Sequence, residues 1–156
     1  MLGLFKTKPV AGETKDPPPP FLPWSEQYSV GSEAVDNDHR RFFELVNNFH
    51  AAIHTGQAPK TVKATLEKLA QYVDQHFKHE EGAMEAAGYP GLLQQRELHE
   101  RLRKAVVTTQ LSFDVAPRAF DFQGFLGFLQ NWLTNHVLVE DRKFAEYVSE
   151  RSSAGS

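Results

Sequence analysis

The stretch TVKATLEKLAQYVDQHFKHEEGAMEAAGYPG, residues 61–91, decides the fold class of this chain. Apolar side chains recur in it at every third or fourth residue, which is the spacing that one face of an α-helix requires. They are Val62, Leu66, Leu69, Tyr72, Val73 and Phe77. Glycine and proline in residues 88–91 then give a strong turn signal. The stretch predicts a helix over residues 61–87 that ends in a tight turn.

Three other segments show the same helical periodicity. They cover residues 36–55, 92–111 and 118–148, and the last two are separated by a predicted loop around residues 112–117. No sustained alternation of apolar and polar residues bounded by hairpin turns indicates strands. Four helices of roughly 20 residues or more with short connections favour an all-α, antiparallel up-down-up-down four-helix bundle.

The chain divides into three parts by composition. Residues 1–20 form a proline-rich arm that ends in four consecutive prolines, a sequence that favours an extended polyproline conformation. Residues 21–150 form the domain, and residues 151–156 form a polar tail. We expect Trp24 and Tyr28 to pack the arm over one end of the bundle.

Composition excludes several classes of function. The 156 residues contain no cysteine, so thiolate metal sites and disulfides are excluded. A net charge of −3 with scattered Lys and Arg does not favour nucleic acid or an anionic membrane as partner. No apolar run has the length of a secretory signal or reaches the roughly 18 residues of a membrane helix. We therefore expect a cytoplasmic protein, monomeric because no second apolar face is evident.

Histidines and carboxylates fall on all the predicted helices. His76 and Glu80 are four residues apart, so their side chains share one face of a helix. Such a pair is common on solvated helices, but similar residues recur along the chain. The full candidate set is His39, His76, Glu80, His99, His136 and Asp141. Imidazole and carboxylate together suit iron, manganese or zinc, and two carboxylates on separate helices can bridge a pair of metals.

The order and gaps of these residues resemble the signature of the hemerythrin family, and the resemblance spans residues 24–147. The matching motifs are Asp36-x-x-His39, His76-Phe77-x-x-Glu80-Glu81-x-x-Met84, Tyr89-Pro90, His99 and Trp132-Leu133-x-x-His136-x-x-x-x-Asp141.

The resemblance implies a non-haem di-iron centre that binds dioxygen reversibly. One iron would be held by His39 and His76 and would keep an open position for dioxygen. The second iron would be held by His99 and His136. The function implied is that of a carrier, store or scavenger of dioxygen rather than an enzyme.

The resemblance also implies the surroundings of the two irons. Glu80 and Asp141 would bridge them, together with a solvent-derived oxo or hydroxo group. A dry apolar pocket would enclose dioxygen, and Leu133, Val137 and Phe77 are the candidates for its walls because they lie within one turn of predicted ligands.

One position departs from the family pattern. The family places a histidine four residues before the one that matches His99, and this chain has Gln95 there. Gln95 binds the second metal through its amide oxygen, or solvent takes the vacant position, or that metal binds poorly. A more exchangeable second iron would favour the alternative functions: a di-iron enzyme with peroxidase-like activity, or a sensor of oxygen, redox state or nitric oxide.

The spacing within the last helix is irregular. His136 and Asp141 are five residues apart, about 500° of rotation on a regular α-helix, so they do not share a face. A π-like turn or a break near residues 138–140 would realign them.

Other interpretations are weaker. His50, His54 and His79 are better explained as residues without a metal. A ferritin-like site needs Glu-x-x-His motifs, and no Glu in this chain is followed by His three residues later. A metal-free scaffold would leave several polar side chains in the bundle core without partners.

Overall fold

The computed structural model describes residues 16–155, so residues 1–15 of the predicted arm and Ser156 lie outside the described part. The described chain is helical and contains no strand. Its α-helices are α1 (Glu33–His54), α2 (Pro59–Ala86), α3 (Leu92–Val115), α4 (Phe122–Asn135) and α5 (Arg142–Ala154). A π-helical segment, His136–Asp141, joins α4 to α5, so the three elements form one long interrupted helix.

The helices form the predicted four-helix bundle. The first helix packs against α2 and α4, and α2 packs against α3. The prediction of an all-α bundle is therefore confirmed. No helix in residues 16–155 is long and apolar enough to cross a membrane.

The turn after α2 follows from its glycine. Gly88 adopts a φ of 62°, a left-handed conformation that costs glycine little. The amide of Gly88 donates to the carbonyl of Glu85 at 3.1 Å, and the amide of Tyr89 donates to that of Met84 at 2.9 Å. These two bonds are the Schellman pattern that ends a helix, and the chain reverses here into α3.

The predicted loop at residues 112–117 is wrong in its first part, because α3 continues to Val115. The helix stops where Pro117 forces the preceding Ala116 out of the helical region, to φ −146° and ψ 73°. The next helix begins at Phe122 rather than at residue 118. Its start is set by Asp121, whose side chain accepts a hydrogen bond from the amide of Gly124 at 2.9 Å.

The segment before α1 packs along the bundle. Leu22 is buried, and its backbone amide and carbonyl both bond to the side-chain amide of Asn47, at 2.8 and 3.0 Å. Trp24 and Tyr28 pack on Phe43 with ring centroids 5.2 and 4.7 Å away. The expected packing of these two aromatic residues on the bundle is confirmed.

The core is a continuous layer of large apolar side chains between the helices. Its fully buried members include Phe42, Phe49, Leu66, Phe77, Leu102, Leu126 and Leu129. Burying one such side chain contributes roughly 1.5–3 kcal/mol. The polar side chains that are buried in this layer do not contribute in this way, so they are the candidates for functional residues.

The π-helical segment confirms the predicted irregularity between His136 and Asp141, both of which are buried. In a π turn the backbone bonds span five residues instead of four, so one extra residue fits into a single turn. His136 and Asp141 therefore lie on the same face, as residues four apart do in a regular helix.

Deletion of Val139 tests this geometry, because Val139 is an exposed residue of the π segment. We expect the shortened segment to become regular α-helix with His136 and Asp141 still on one face, so the protein keeps its cooperative thermal unfolding and its metal uptake. Deletion of the exposed Asn131 within α4 has no extra residue to absorb it and rotates the two parts of the helix by about 100°.

Circular dichroism melting curves and metal content per chain distinguish the two deletions. Equal damage from both would contradict the π-turn explanation of the spacing.

Candidate metal centre

The structure brings the six predicted histidine and carboxylate ligands together inside the bundle. They come from four different elements: His39 from α1, His76 and Glu80 from α2, His99 from α3, and His136 and Asp141 from the π segment. All are buried except Glu80, whose side chain is 12% exposed.

His39 and His76 form what we call the first pair. The Nε2 atom of His39 is 2.9 Å from Oδ2 of Asp141, and Nε2 of His76 is 3.0 Å from Oε1 of Glu80. Ligand atoms of these four residues all lie within 4.8 Å of one another. The first pair and two carboxylate oxygens thus surround one point.

His99 and His136 form the second pair. Their Nε2 atoms are 3.3 Å apart and lie 3.3 and 3.4 Å from Oε2 of Glu80. Oδ1 of Asp141 is 3.0 Å from Nε2 of His136. The first pair therefore faces Oε1 of Glu80 and Oδ2 of Asp141. The second pair faces the other oxygen of each of these carboxylates, Oε2 of Glu80 and Oδ1 of Asp141.

The donor atoms fit transition-metal ions. Ligands about 2.1 Å from one ion, as imidazole nitrogens are, lie about 3 Å apart when they are at right angles. The contacts above have this length, yet both ring nitrogens of His39 and both oxygens of Asp141 lack a hydrogen-bond partner. Buried polar atoms without partners cost several kcal/mol, and a bound cation removes that cost. Nitrogen with carboxylate oxygen suits iron, manganese or zinc.

Electrostatics couple the imidazoles to the carboxylates. Burial lowers the pKa of His39, but the nearby carboxylates of Asp141 and Glu80 outweigh it and raise the pKa to about 9. The same balance raises the pKa of His136 to about 10. Burial alone would raise the pKa of Glu80, but the surrounding imidazoles hold it well below its usual range. Without metal, His39 and His136 therefore retain protons at neutral pH.

Aromatic rings fix the imidazole planes. Phe77 stacks on His99 with centroids 3.8 Å apart and planes 1° apart, and Trp132 stacks on His136 at 4.4 Å.

Leu133 and Val137, which with Phe77 are the predicted pocket walls, are 1% and 0% exposed. The three wall candidates lie in the same apolar layer.

Gln95 lies on α3, one turn before His99, and is 1% exposed. Neither its amide oxygen nor its amide nitrogen has a hydrogen-bond partner. A buried amide without hydrogen-bond partners is unfavourable by about 1–3 kcal/mol. A partner for the Gln95 amide would remove this cost, and the surrounding protein atoms do not supply one.

The remaining histidines lie apart from both pairs. His54 and His79 are exposed, and the ring of the half-buried His50 packs 5.2 Å from Phe21. None of the three belongs to a cluster of potential ligands among the described residues.

Two carboxylates that sequence reasoning did not select contact the outer nitrogens of the imidazoles. Oε1 of Glu81 is 2.8 Å from Nδ1 of His99, and Oδ2 of Asp38 is 3.6 Å from Nδ1 of His76. Both contacts join different helices, so spacing along one helix gives no signal for them.

A cleft of about 560 Å³ opens beside the first pair. His76, Glu80 and Asp141 line its inner end, and apolar side chains such as Val35 and Phe144 form much of its wall. One side of the centre is therefore accessible to small molecules.

Comparison with known proteins agrees with this geometry. A family model described as the hemerythrin HHE cation binding domain matches residues 30–148. A bacteriohemerythrin of Stenotrophomonas maltophilia is 31% identical over 128 residues, covering 82% of each chain. A bacteriohemerythrin of Clostridium acetobutylicum is 26% identical, covering 79% of this chain and 98% of that protein.

A solved structure also matches. The crystal structure of a wild-type hemerythrin superposes with a TM-score of 0.75 at 27% identity, covering 83% of this chain and 98% of that one. The family match covers most of the sequence and includes all six clustered ligands. The chain belongs to the hemerythrin HHE cation-binding family.

Proposed function

We propose that this chain holds two iron ions in its bundle and binds dioxygen reversibly, as a carrier, store or scavenger. The observation that carries the proposal is the way Glu80 and Asp141 are shared. Each carboxylate directs one oxygen at the first pair and its other oxygen at the second pair. A carboxylate placed in this way serves two metal ions rather than one.

The ligand assignment follows the two clusters. The first pair would hold one iron and the second pair the other, with Glu80 and Asp141 bridging. When bound, two ferrous ions supply the electrons and the coordination position that hold dioxygen. The protein supplies the ligands, and its apolar walls, including Phe77 and Leu133, keep bulk water away from them.

The cleft supports dioxygen entry at the first pair. His76 lines it directly, whereas the second pair lies beneath the rings of Phe77 and Trp132. Dioxygen would therefore reach the iron of the first pair, and the iron of the second pair would be shielded.

Gln95 favours a second candidate function. Its buried amide without a partner supports a second iron with fewer nitrogen ligands than the family pattern implies, and therefore with an exchangeable position. Such an iron suits peroxide or nitric oxide chemistry better than reversible binding. Redox catalysis or sensing is the function that remains if air oxidises the centre irreversibly.

The direct test is iron content and reversibility. We expect about two irons per purified chain and a visible absorption band that appears in air and disappears on deoxygenation. His76→Ala should lose iron and the band, while His54→Ala, at the exposed end of α1, should keep both. About one iron per chain, or oxidation that removing oxygen does not reverse, would contradict reversible dioxygen binding.

Substitution Gln95→His tests the role of the buried amide. A third imidazole beside the second pair should slow the loss of the second iron to a chelator by roughly 10-fold or more, since an imidazole binds iron more strongly than an amide oxygen. The neighbouring exposed Gln94→His is the matched control and should leave the rate unchanged. An unchanged rate in Gln95→His would place Gln95 outside the coordination sphere.

The pKa values predict opposite pH responses with and without metal. The folded pKa values of His39 and His136 exceed the ordinary histidine value, so the metal-free native state binds more protons than the unfolded state above about pH 6.5. Its free energy of unfolding should therefore fall as pH rises from 7 to 10, by on the order of a few kcal/mol. Metal uptake should strengthen over this range, because metal replaces those protons.

Urea unfolding of the metal-free protein at several pH values measures this slope. His136→Gln should flatten it. A metal-free protein whose stability does not change between pH 7 and 10 would contradict the protonated state of the two imidazoles.

A further inference from the structure

We propose that Glu81 is a positioning residue of the metal centre, which fixes the ring of His99 and strengthens it as a ligand. Glu81 binds no metal itself in this proposal. The inference rests on the proposed function only in that the second pair must bind a metal ion.

The contact geometry assigns the two nitrogens of His99 to different partners. Nδ1 lies 2.8 Å from Oε1 of Glu81, while Nε2 lies 3.3 Å from Oε2 of Glu80. A carboxylate only accepts hydrogen bonds, so Nδ1 carries the proton and donates it to Glu81. Nε2 is then left with its lone pair directed at the metal position.

The ring of His99 has no freedom to turn over. It is fully buried and stacks on Phe77 with the planes 1° apart. Arg103 lies on Phe77 as well, with its guanidinium carbon 5.3 Å from the ring centroid. The orientation set by Glu81 is thus reinforced by packing.

Two arginines contact the Glu81 carboxylate and hold it in place. A guanidinium nitrogen of Arg103 is 3.3 Å from Oε1 of Glu81, and Nε of Arg96 is 3.7 Å from its Oε2. Arg103 is itself anchored by Asp74 at 3.4 Å. The chain of charges therefore reaches from His99 to the surface of the bundle.

His99 is the only one of the four clustered imidazoles with such a contact in the described chain. The Nδ1 atoms of His39 and His136 have no hydrogen-bond partner, and Nδ1 of His76 faces the exposed Asp38 at 3.6 Å. A metal-bound imidazole that donates to a carboxylate gains anionic character and binds its metal more tightly.

The contact between Glu81 and His99 lies at the second pair, where the strength of a single histidine ligand has the greatest effect on metal binding. Gln95 precedes His99 by one turn, so α3 offers the second pair a neutral amide at this position instead of a further imidazole. Because only His99 and His136 supply nitrogen donors to the second metal position, retention of that metal depends strongly on how tightly each of them binds. Glu81 increases the strength of His99.

The test uses zinc, which is redox-inert and diamagnetic, and therefore does not depend on dioxygen chemistry. The full chain, labelled with ¹⁵N, is loaded with Zn²⁺ as wild type, Glu81→Gln, Glu81→Ala and Glu85→Gln. Glu85 is the matched control, because it lies one turn further along α2, pairs with Arg96 at 3.4 Å and is exposed. Imidazole ¹⁵N spectra report which nitrogen of His99 is protonated, and chelator competition reports Zn²⁺ affinity.

We expect a slowly exchanging Nδ1 proton on His99 in the wild type and in Glu85→Gln. In Glu81→Gln this resonance should move upfield, since the acceptor is now neutral, and in Glu81→Ala it should be lost to exchange with water. Affinity for the more weakly held Zn²⁺ should fall roughly 10–100-fold in Glu81→Ala and less in Glu81→Gln.

Three results would overturn the inference. The first is protonation of His99 on Nε2 in the zinc-loaded wild type, and the second is that the Glu81 variants match Glu85→Gln in both spectrum and affinity. The third, which would indicate a merely structural role, is lower thermal stability without movement of the Nδ1 resonance of Glu81→Gln. Failure of dioxygen binding in the iron-loaded wild type would contradict the proposed function and leave the zinc results standing.

Discussion

The structure depends on the burial of two carboxylates in the middle of a helical bundle. An isolated buried carboxylate is costly by several kcal/mol, so Glu80 and Asp141 require positive or metal partners on every side. Those partners are imidazoles on α1, α2, α3 and the π segment. Because each helix contributes part of the compensation, the centre fixes the relative placement of all the helices, and the apolar layers pack around it.

The π segment follows from this constraint. His136 and Asp141 must both reach the centre although five residues separate them, and a regular helix would point them in different directions. Accommodating one extra residue in a wide turn restores their alignment on one face. The weaker backbone geometry of a π turn is tolerated here because ligand placement compensates for it.

The bundle and the irregular turn between His136 and Asp141 could be predicted from spacing along single helices. The set of six clustered residues could be predicted only because their order and gaps along the whole chain resemble the hemerythrin signature. The sequence did not reveal the contacts of Glu81 with His99 and of Asp38 with His76, since these contacts cross between helices and depend on how the helices rotate about their axes. The end of α3 was also missed, because the helix continues past Leu111 to Val115 and stops only before Pro117. Local stereochemistry there, rather than hydrophobic pattern, determines the boundary.

The two histidine pairs differ in their surroundings, and this difference has a functional consequence. The first pair adjoins an open cleft, and its outer nitrogens have only a long contact to an exposed carboxylate or no partner. The second pair is covered by Phe77 and Trp132, and His99 is held by Glu81. In the proposed di-iron centre, this arrangement would leave the position beside the cleft accessible to small molecules, while the covered position would retain metal and anchor the two shared carboxylates. Gln95 lies on this covered side, where an amide in place of an imidazole would weaken metal retention without opening the covered position to the cleft.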